Sequence, residues 1–141
     1  MPMRPMRLAR YVWAAPCSAL GLALALPALA LGGTARPVGG VLEISLAAAL
    51  RRLGWRRLPF RAITFGHVIL GTSRASLHRL RAHERIHVRQ YEQWGVFFFL
   101  AYPLSSLLQL LQGRSPYWHN WFEQQARAKA SPAEFGRHKE T

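Results

Sequence analysis

The sequence predicts one domain that is mainly α with a small β element, an α+β fold. Three observations predict it. An uncharged stretch rich in Ala and Leu covers residues 11–31. The segment Arg74–Trp94 contains neither Gly nor Pro and spaces its apolar residues as a helix does. Two short runs between these segments contain β-branched residues, which favour strands. A chain of 141 residues has room for a single domain.

The first predicted element is the N-terminal apolar segment, residues 1–35. About 20 apolar residues let a helix span a bilayer, and residues 11–31 meet that length. The segment also resembles a secretory signal, because Ala28-Leu29-Ala30 is an acceptable cleavage site. We favour an uncleaved membrane anchor, since the apolar core is long for a signal peptide. Such an anchor helix is expected to project from the domain with few tertiary contacts.

Two strand candidates follow, residues 38–44 and residues 62–71, and they predict a short strand pair. The first run is bounded by Pro37 and by an alanine-rich stretch, and the second ends at Gly71. Residues 46–53 are expected to form a short helix between them.

The helix predicted over Arg74–Trp94 carries the motif His83-Glu84-Arg85-Ile86-His87, which has the pattern HExxH. Two histidines four residues apart project from one face of a helix, one turn above the other. Both imidazoles can therefore reach one Zn²⁺, while Glu84 points at the open metal position as a general base.

A third ligand is needed, because zinc enzymes of this kind use three protein ligands and leave one position for water. The downstream candidates are Glu92, His119, Glu123, Glu134 and His138. Glu92 follows on the same helix and is turned away from the histidine face. Glu123 lies in a second helix-compatible stretch among apolar residues, where a buried carboxylate is costly without a cation partner. A metal would remove that cost, so Glu123 is the preferred third ligand.

Residues 81–90, which contain the motif, and the later helix with Glu123 resemble the gluzincin branch of the zincin metallopeptidases. The likeness is to minimal, membrane-associated bacterial versions and covers about residues 60–128. It implies a zincin-like HExxH helix packed with a glutamate helix. It also implies that His83, His87 and Glu123 hold Zn²⁺ and that Glu84 polarises the catalytic water. The substrate would be a peptide or protein, bound in extended form along a strand formed by residues 62–71.

One position departs from the gluzincin pattern. Many gluzincins place an aspartate one turn after the ligand glutamate to orient a ligand histidine, and this position is Arg127 here. The chain contains no Asp, so such an acid could only be a Glu such as Glu92. The oxyanion of the reaction needs a further donor, and four residues remain candidates for it: Tyr117, His119, Tyr91 and His67.

A second apolar run, residues 96–111, is short for a membrane span. We expect it to contact the membrane as an interfacial or re-entrant helix, because a small domain has few elements to cover three adjacent phenylalanines. The alternative is a core helix packed on the histidine helix. The domain is expected to cover residues 36–129, and residues 130–141 to form a flexible tail.

The net charge of +13 indicates anionic partners. We discount nucleic acid, because the arginines are spread along the chain and no recognised nucleic-acid-binding motif is present. Basic residues beside apolar segments favour anionic lipid headgroups, so the expected location is the bacterial inner membrane. The arginines of residues 36–94 favour a cytoplasmic catalytic segment if both apolar runs span. A signal-like N-terminus favours the opposite side, and both alternatives stay open.

These observations predict a membrane-associated, zinc-dependent metallopeptidase or hydrolase. The alternative is a small basic membrane protein without catalytic activity, whose zincin-like helix binds a metal or a partner.

Overall fold

Five α-helices and a four-stranded sheet form the part of the chain that the computed structural model describes, residues 5–55, 58 and 60–130. In chain order they are α1 (Pro5–Ala30), β1 (Thr34–Val38), β2 (Val41–Ser45), α2 (Ala47–Leu53), β3 (Ala62–Phe65), β4 (Val68–Gly71), α3 (Arg74–Trp94), α4 (Phe98–Leu111) and α5 (Trp121–Lys129). A 3₁₀ turn, Gly95–Phe97, separates α3 from α4. The fold is mainly α with a small β element, as predicted. Apart from Ala130, the predicted tail lies outside the described residues, as do Glu134 and His138.

The sheet is larger than the predicted strand pair, because each predicted strand contains a hairpin turn. The strands lie in the order β1-β2-β4-β3. Strands β1 and β2 are antiparallel, as are β3 and β4, whereas β2 and β4 are parallel. The turns fall at Gly39, Gly40 and Gly66, whose φ angles of 54°, 81° and 60° suit the tight turns of hairpins. The predicted helix between the two runs is α2.

The sheet lies between α1 and α2 on one face and α3 on the other. Side chains alternate along a strand, so Val68 and Leu70 of β4 contact the cluster formed with α1 and α2. Ile69 points the other way and packs with Leu77 and Val88 of α3. Strand β4 is buried along its whole length, which explains why its sequence is continuously apolar.

A partly buried ion pair fixes α3 on the sheet. Glu43 of β2 is buried, and its two carboxylate oxygens accept hydrogen bonds from Arg81 Nε (2.8 Å) and Nη2 (3.0 Å). This two-pronged geometry sets the rotation of α3 about its axis. The helix begins at Ser73, whose hydroxyl accepts a hydrogen bond from the Ser76 amide, and it ends before Gly95.

Helix α1 packs along the domain, and the prediction that it projects with few contacts is wrong. Ala14 and Cys17 are fully buried. A Cβ added at Gly21 would lie 2.9 Å from Phe65 Cβ and 3.0 Å from Val68 Cβ. Small residues on one face therefore let the α1 backbone approach the sheet closely. The opposite face exposes large apolar side chains, namely Leu8, Val12, Leu20, Leu22, Leu24 and Leu26.

Polar contacts add to this packing. The Trp13 indole donates to the Gln93 carbonyl (3.3 Å), and the Cys17 thiol lies 3.6 Å from the Gly95 carbonyl. The Ser18 hydroxyl accepts a hydrogen bond from the His67 amide (2.9 Å). Helix α1 thus supplies partners to backbone groups of the domain.

Helix α4 exposes most of its apolar surface and is not a buried core helix. Phe98 packs with Tyr91 and Phe122. Phe99 and Tyr102 are partly buried against the same cluster, whereas the leucines of α4 face outward, and Leu100 and Leu111 are 70% and 75% exposed. Two segments of the described chain are long and apolar enough to cross a membrane, Arg7–Ala30 and Arg74–Leu111.

Candidate metal centre

Helix α5 brings a carboxylate to the histidine face of α3. Asn120 caps α5, because its Oδ1 accepts a hydrogen bond from the Phe122 amide (2.9 Å). The Asn120 Nδ2 donates to the Tyr102 carbonyl (2.9 Å) and to Ser106 Oγ (2.7 Å) of α4. Asn120 is fully buried, so the start of α5 is tied to α4. Glu123 follows in the first turn of α5 and points toward α3.

The three predicted ligands lie together. His83 Nε2 is 3.0 Å from Glu123 Oε2, and His87 Nε2 is 3.2 Å from Glu123 Oε1. The two Nε2 atoms are 3.2 Å apart. One ligand atom from each residue can be chosen so that all three lie within 4.8 Å of one another. All three side chains are buried. This His/His/Glu group could hold a metal ion.

The separations suit a small divalent cation. Ligand atoms at about 2.0–2.1 Å from a tetrahedral metal are about 3.3 Å from each other. The shortest separations in the cluster, 3.0–3.2 Å, are close to that value.

Gln90 determines which nitrogen of His87 carries the proton. The Gln90 Nε2 donates to the Phe122 carbonyl (2.9 Å) and to Gln125 Oε1 (2.8 Å). Its other amide atom is therefore the oxygen, which lies 2.8 Å from His87 Nδ1 and accepts a hydrogen bond from the N–H at that position. In the neutral imidazole, the Nε2 lone pair then faces the Glu123 carboxylate. The lone pair of His87 Nε2 and those of the carboxylate oxygen repel each other unless a cation, either a proton or a metal ion, lies between them. The donor set therefore fits a metal.

The charge of Glu123 is stabilised within the cluster. Burial alone would raise the pKa of the Glu123 carboxyl. Hydrogen bonds with His83 and His87, the charge of His87 and the Tyr102 hydroxyl outweigh burial and hold that pKa well below its usual range. The Tyr102 hydroxyl donates to Glu123 Oε1 at 2.5 Å. The Glu123 side chain is thus anionic at neutral pH.

Glu84 lies in the same cavity but is held by the sheet. The Thr64 hydroxyl of β3 donates to Glu84 Oε2 at 2.6 Å. Both residues are buried. The contact keeps the Glu84 carboxylate beside the cluster while leaving His83, His87 and Glu123 as the group of ligands.

A cavity of about 800 Å³ opens onto the cluster. Its polar lining includes His83, Glu84, His87, Tyr102, Tyr117, Glu123 and Arg127. Most of the remaining wall is apolar and comes from β3, α3 and α4. Strand β3 lies at the edge of the sheet, and all four of its residues line the cavity. Burial and the carboxylates of Glu123 and Glu84 raise the pKa of Tyr117 to about 12, so its hydroxyl keeps its proton at neutral pH.

The other oxyanion candidates fall into two groups. Tyr91 lines the cavity with Tyr117, whereas His119 is exposed and does not line it. His67 lies elsewhere, stacked on Tyr11 with ring centroids 4.1 Å apart. Its Nε2 is 3.6 Å from Glu92 Oε2. Glu92 is therefore turned away from the metal ligands, as predicted, and the suggestion that it orients a ligand histidine is wrong. The residue that orients a candidate ligand histidine is instead Gln90, whose Oε1 lies 2.8 Å from His87 Nδ1.

Sequence reasoning missed four residues of the site: Thr64, Gln90, Tyr102 and Asn120. Asn120 carried a usable signal, because Asn is a preferred N-cap and it stands directly before the glutamate helix. Gln90 lies three residues after His87, a spacing at which helical side chains meet. Thr64 and Tyr102 reach the site from elements distant in sequence, and no local pattern marks them.

Comparison with known proteins adds no identification. No family model, curated protein or solved structure matches the chain.

Proposed function

We propose that the protein is a membrane-associated, zinc-dependent metallopeptidase or hydrolase. The observation that supports this proposal best is the buried group His83, His87 and Glu123, with donor atoms 3.0–3.2 Å apart at their closest. Two imidazoles and one carboxylate are a ligand set of catalytic zinc sites, which keep a further position for water or substrate. Imidazole also suits other transition metals, so metal content is the first property to measure.

Zinc bound by these residues would lower the pKa of its water toward 7 and polarise a substrate carbonyl. Glu84 acts as the general base, takes a proton from the attacking water and passes it to the leaving amine. Thr64 supports this role, because its hydroxyl orients the Glu84 carboxylate (2.6 Å). The phenol of Tyr117 donates a hydrogen bond to the developing oxyanion, consistent with its position on the cavity wall and its raised pKa.

Strand β3 is the proposed binding edge for an extended peptide. It lies at the edge of the sheet, and its residues Ala62–Phe65 line the cavity beside Glu84. A peptide that pairs with this edge would place its backbone along the cavity, held by main-chain hydrogen bonds.

Membrane association rests on two exposed apolar faces. The outward side of α1 and the outward side of α4 both present large aliphatic residues, including Leu24, Leu26, Leu104 and Leu111. The net charge of +13 favours anionic headgroups. We propose the bacterial inner membrane as the location, and retention of the protein in alkali-washed membrane fractions tests it.

The decisive experiment measures metal content and peptide hydrolysis on the same purified full-length protein. Wild type is expected to hold about one zinc per chain and to hydrolyse an unstructured peptide. Glu84→Gln keeps its zinc and loses about 10²–10⁴-fold in turnover, because only the base is removed. His83→Ala and Glu123→Ala lose both properties. His78→Ala is the matched control, since His78 is exposed on the same helix.

Two outcomes contradict the proposal. Hydrolysis by Glu84→Gln at the wild-type rate would show that the mechanism is wrong even if zinc is bound. Stoichiometric zinc without hydrolysis of any peptide in the wild type would favour the non-catalytic metal-binding alternative.

A further inference from the structure

Arg127 lines the cavity one helical turn after Glu123 and has an unused hydrogen-bond donor. Its guanidinium stacks over Trp118, with Cζ 4.7 Å from the ring centroid, and its Nη2 donates to the Trp118 carbonyl. These contacts fix the plane of the group. Its Nη1 is buried and has no hydrogen-bond partner among the described residues.

A buried donor on a charged group costs free energy unless an acceptor meets it. An anionic group of a ligand would supply that acceptor and would also meet the charge of the guanidinium. A divalent metal at the ligand cluster balances the two carboxylates of Glu84 and Glu123. The positive charges of Arg127 and of Arg61, which also lines the cavity, then remain on the cavity wall, so the loaded cavity favours an anion.

The position of Arg127 indicates which kind of anion would bind there. In a peptide, the terminal carboxylate follows the last scissile carbonyl by one residue, about 3.3–3.6 Å of extended chain. A charge-assisted hydrogen bond adds about 2.8 Å. Together these lengths give about 6 Å, which is close to the separation of about 5–6 Å between the Cβ atoms of residues one helical turn apart, such as Glu123 and Arg127. A peptide whose last amide bond lies at the ligand cluster can therefore bring its terminal carboxylate to Arg127.

We propose that Arg127 binds the terminal carboxylate of the substrate, so that the enzyme removes single residues from the carboxyl end of a peptide. This inference rests on the proposed hydrolase function. Water adds across the last amide bond: the C–N bond breaks, the water oxygen becomes part of the new terminal carboxylate, and the amine of the released amino acid takes both protons of the water. The apolar wall, which includes Phe65 and Phe99, favours an apolar side chain on the released residue.

The test compares two small ligands that differ only in charge at the carboxyl end, N-acetyl-L-phenylalanine and its amide. Their affinities are measured by calorimetry at neutral pH on zinc-loaded, full-length Glu84→Gln protein, which binds without turnover. The acid is expected to bind at least about 10-fold more tightly than the amide. Adding Arg127→Gln should abolish this preference and leave amide binding unchanged. Arg127→Lys should retain part of it, because Lys keeps the charge but not the planar fork.

Lys129→Gln is the matched control, because it removes one positive charge from an exposed position on the same helix. It should keep the full preference. Equal binding of acid and amide before Arg127 is changed would overturn the inference, as would a preference that survives Arg127→Gln. If Arg127→Gln binds neither ligand, Arg127→Lys decides: a reduced preference supports the inference and an undiminished one overturns it.

Hydrolysis by protein with an intact Glu84 separates the two proposals. A preference for the acid without release of phenylalanine would refute the hydrolase function and leave the binding role of Arg127 standing. Equal rates of cleavage of the acetyl–phenylalanine bond, which releases phenylalanine from the acid and phenylalaninamide from the amide, would support hydrolysis and overturn the role of Arg127.

Discussion

Replacing Gln90 by Met should weaken metal binding without removing any ligand. Gln90 is only 1% exposed, and its side chain makes three hydrogen bonds, to His87 Nδ1, the Phe122 carbonyl and Gln125 Oε1. Methionine has a similar length and fills the space, but it cannot replace the amide oxygen that accepts the hydrogen bond from His87 Nδ1. The tautomer that directs the Nε2 lone pair of His87 at the metal is then no longer selected.

The expected magnitude follows from these contacts. Loss of the outer partner of a ligand histidine typically lowers metal affinity about 10–100-fold, which is about 1.4–2.7 kcal/mol. The metal-free protein should also lose about 1–3 kcal/mol of stability, because buried polar groups such as the Phe122 carbonyl are left without a partner. Gln90→Glu should bind zinc more tightly than Gln90→Met, because a carboxylate still accepts the hydrogen bond from His87 Nδ1.

Zinc affinity is measured by competition with a chromophoric chelator, and the stability of the metal-free protein by urea unfolding. Gln93→Met serves as the control, since Gln93 is exposed on the same helix. Zinc affinity of Gln90→Met within twofold of wild type would refute the argument that Gln90 selects the His87 tautomer.

Two further predictions concern packing and pH. Gly21→Val should destabilise the protein by about 1–3 kcal/mol in urea unfolding, because an added Cβ already lies 2.9 Å from Phe65 Cβ. Ala23→Val, exposed on the same helix, should change stability little, and equal losses would contradict the docking of α1. The folded-state pKa of Glu123 is depressed, so its stabilising contribution is present above the unfolded value of about 4.3 and is lost as pH falls toward the folded value. In thermal unfolding of the metal-free protein, Glu123→Gln should therefore be less stable at pH 7 and show a shallower decline below about pH 4.3 than wild type. Parallel curves for the two proteins would contradict this assignment.

Local patterns predicted much of the candidate metal site. The helix Arg74–Trp94 has the predicted bounds, because it lacks Gly and Pro between a serine cap and Gly95. Glu123 was identifiable because a carboxylate in an apolar helix needs a cation. The residues that orient Glu84 and Glu123 were harder to predict from sequence. Thr64 and Tyr102 come from a strand and a helix whose positions depend on the whole fold.

The docking of α1 was not predictable from its hydropathy. An isolated anchor and a packed helix have the same average composition, and they differ in where the small residues fall. Ala14, Cys17 and Gly21 lie on one face, and close approach at that face depends on Phe65 and Val68, which come much later in the chain. Each hairpin was predicted as a single strand. β-branched residues on both sides of the glycine turn indicated one continuous strand, and the glycines were not taken as a turn.

The contacts of α1 also constrain the order of events during synthesis. Ser18 meets His67 across 49 positions, and Trp13 meets Gln93 across 80. At about 5–20 residues per second, translation of 80 positions takes about 4–16 s. Until those positions are translated, the face of α1 that will meet them lacks these partners. The sheet and α3 therefore assemble against a helix that has already been synthesised. A nascent chain whose first helix is held elsewhere would leave the buried strand β4 uncovered on one face and exposed to aggregation.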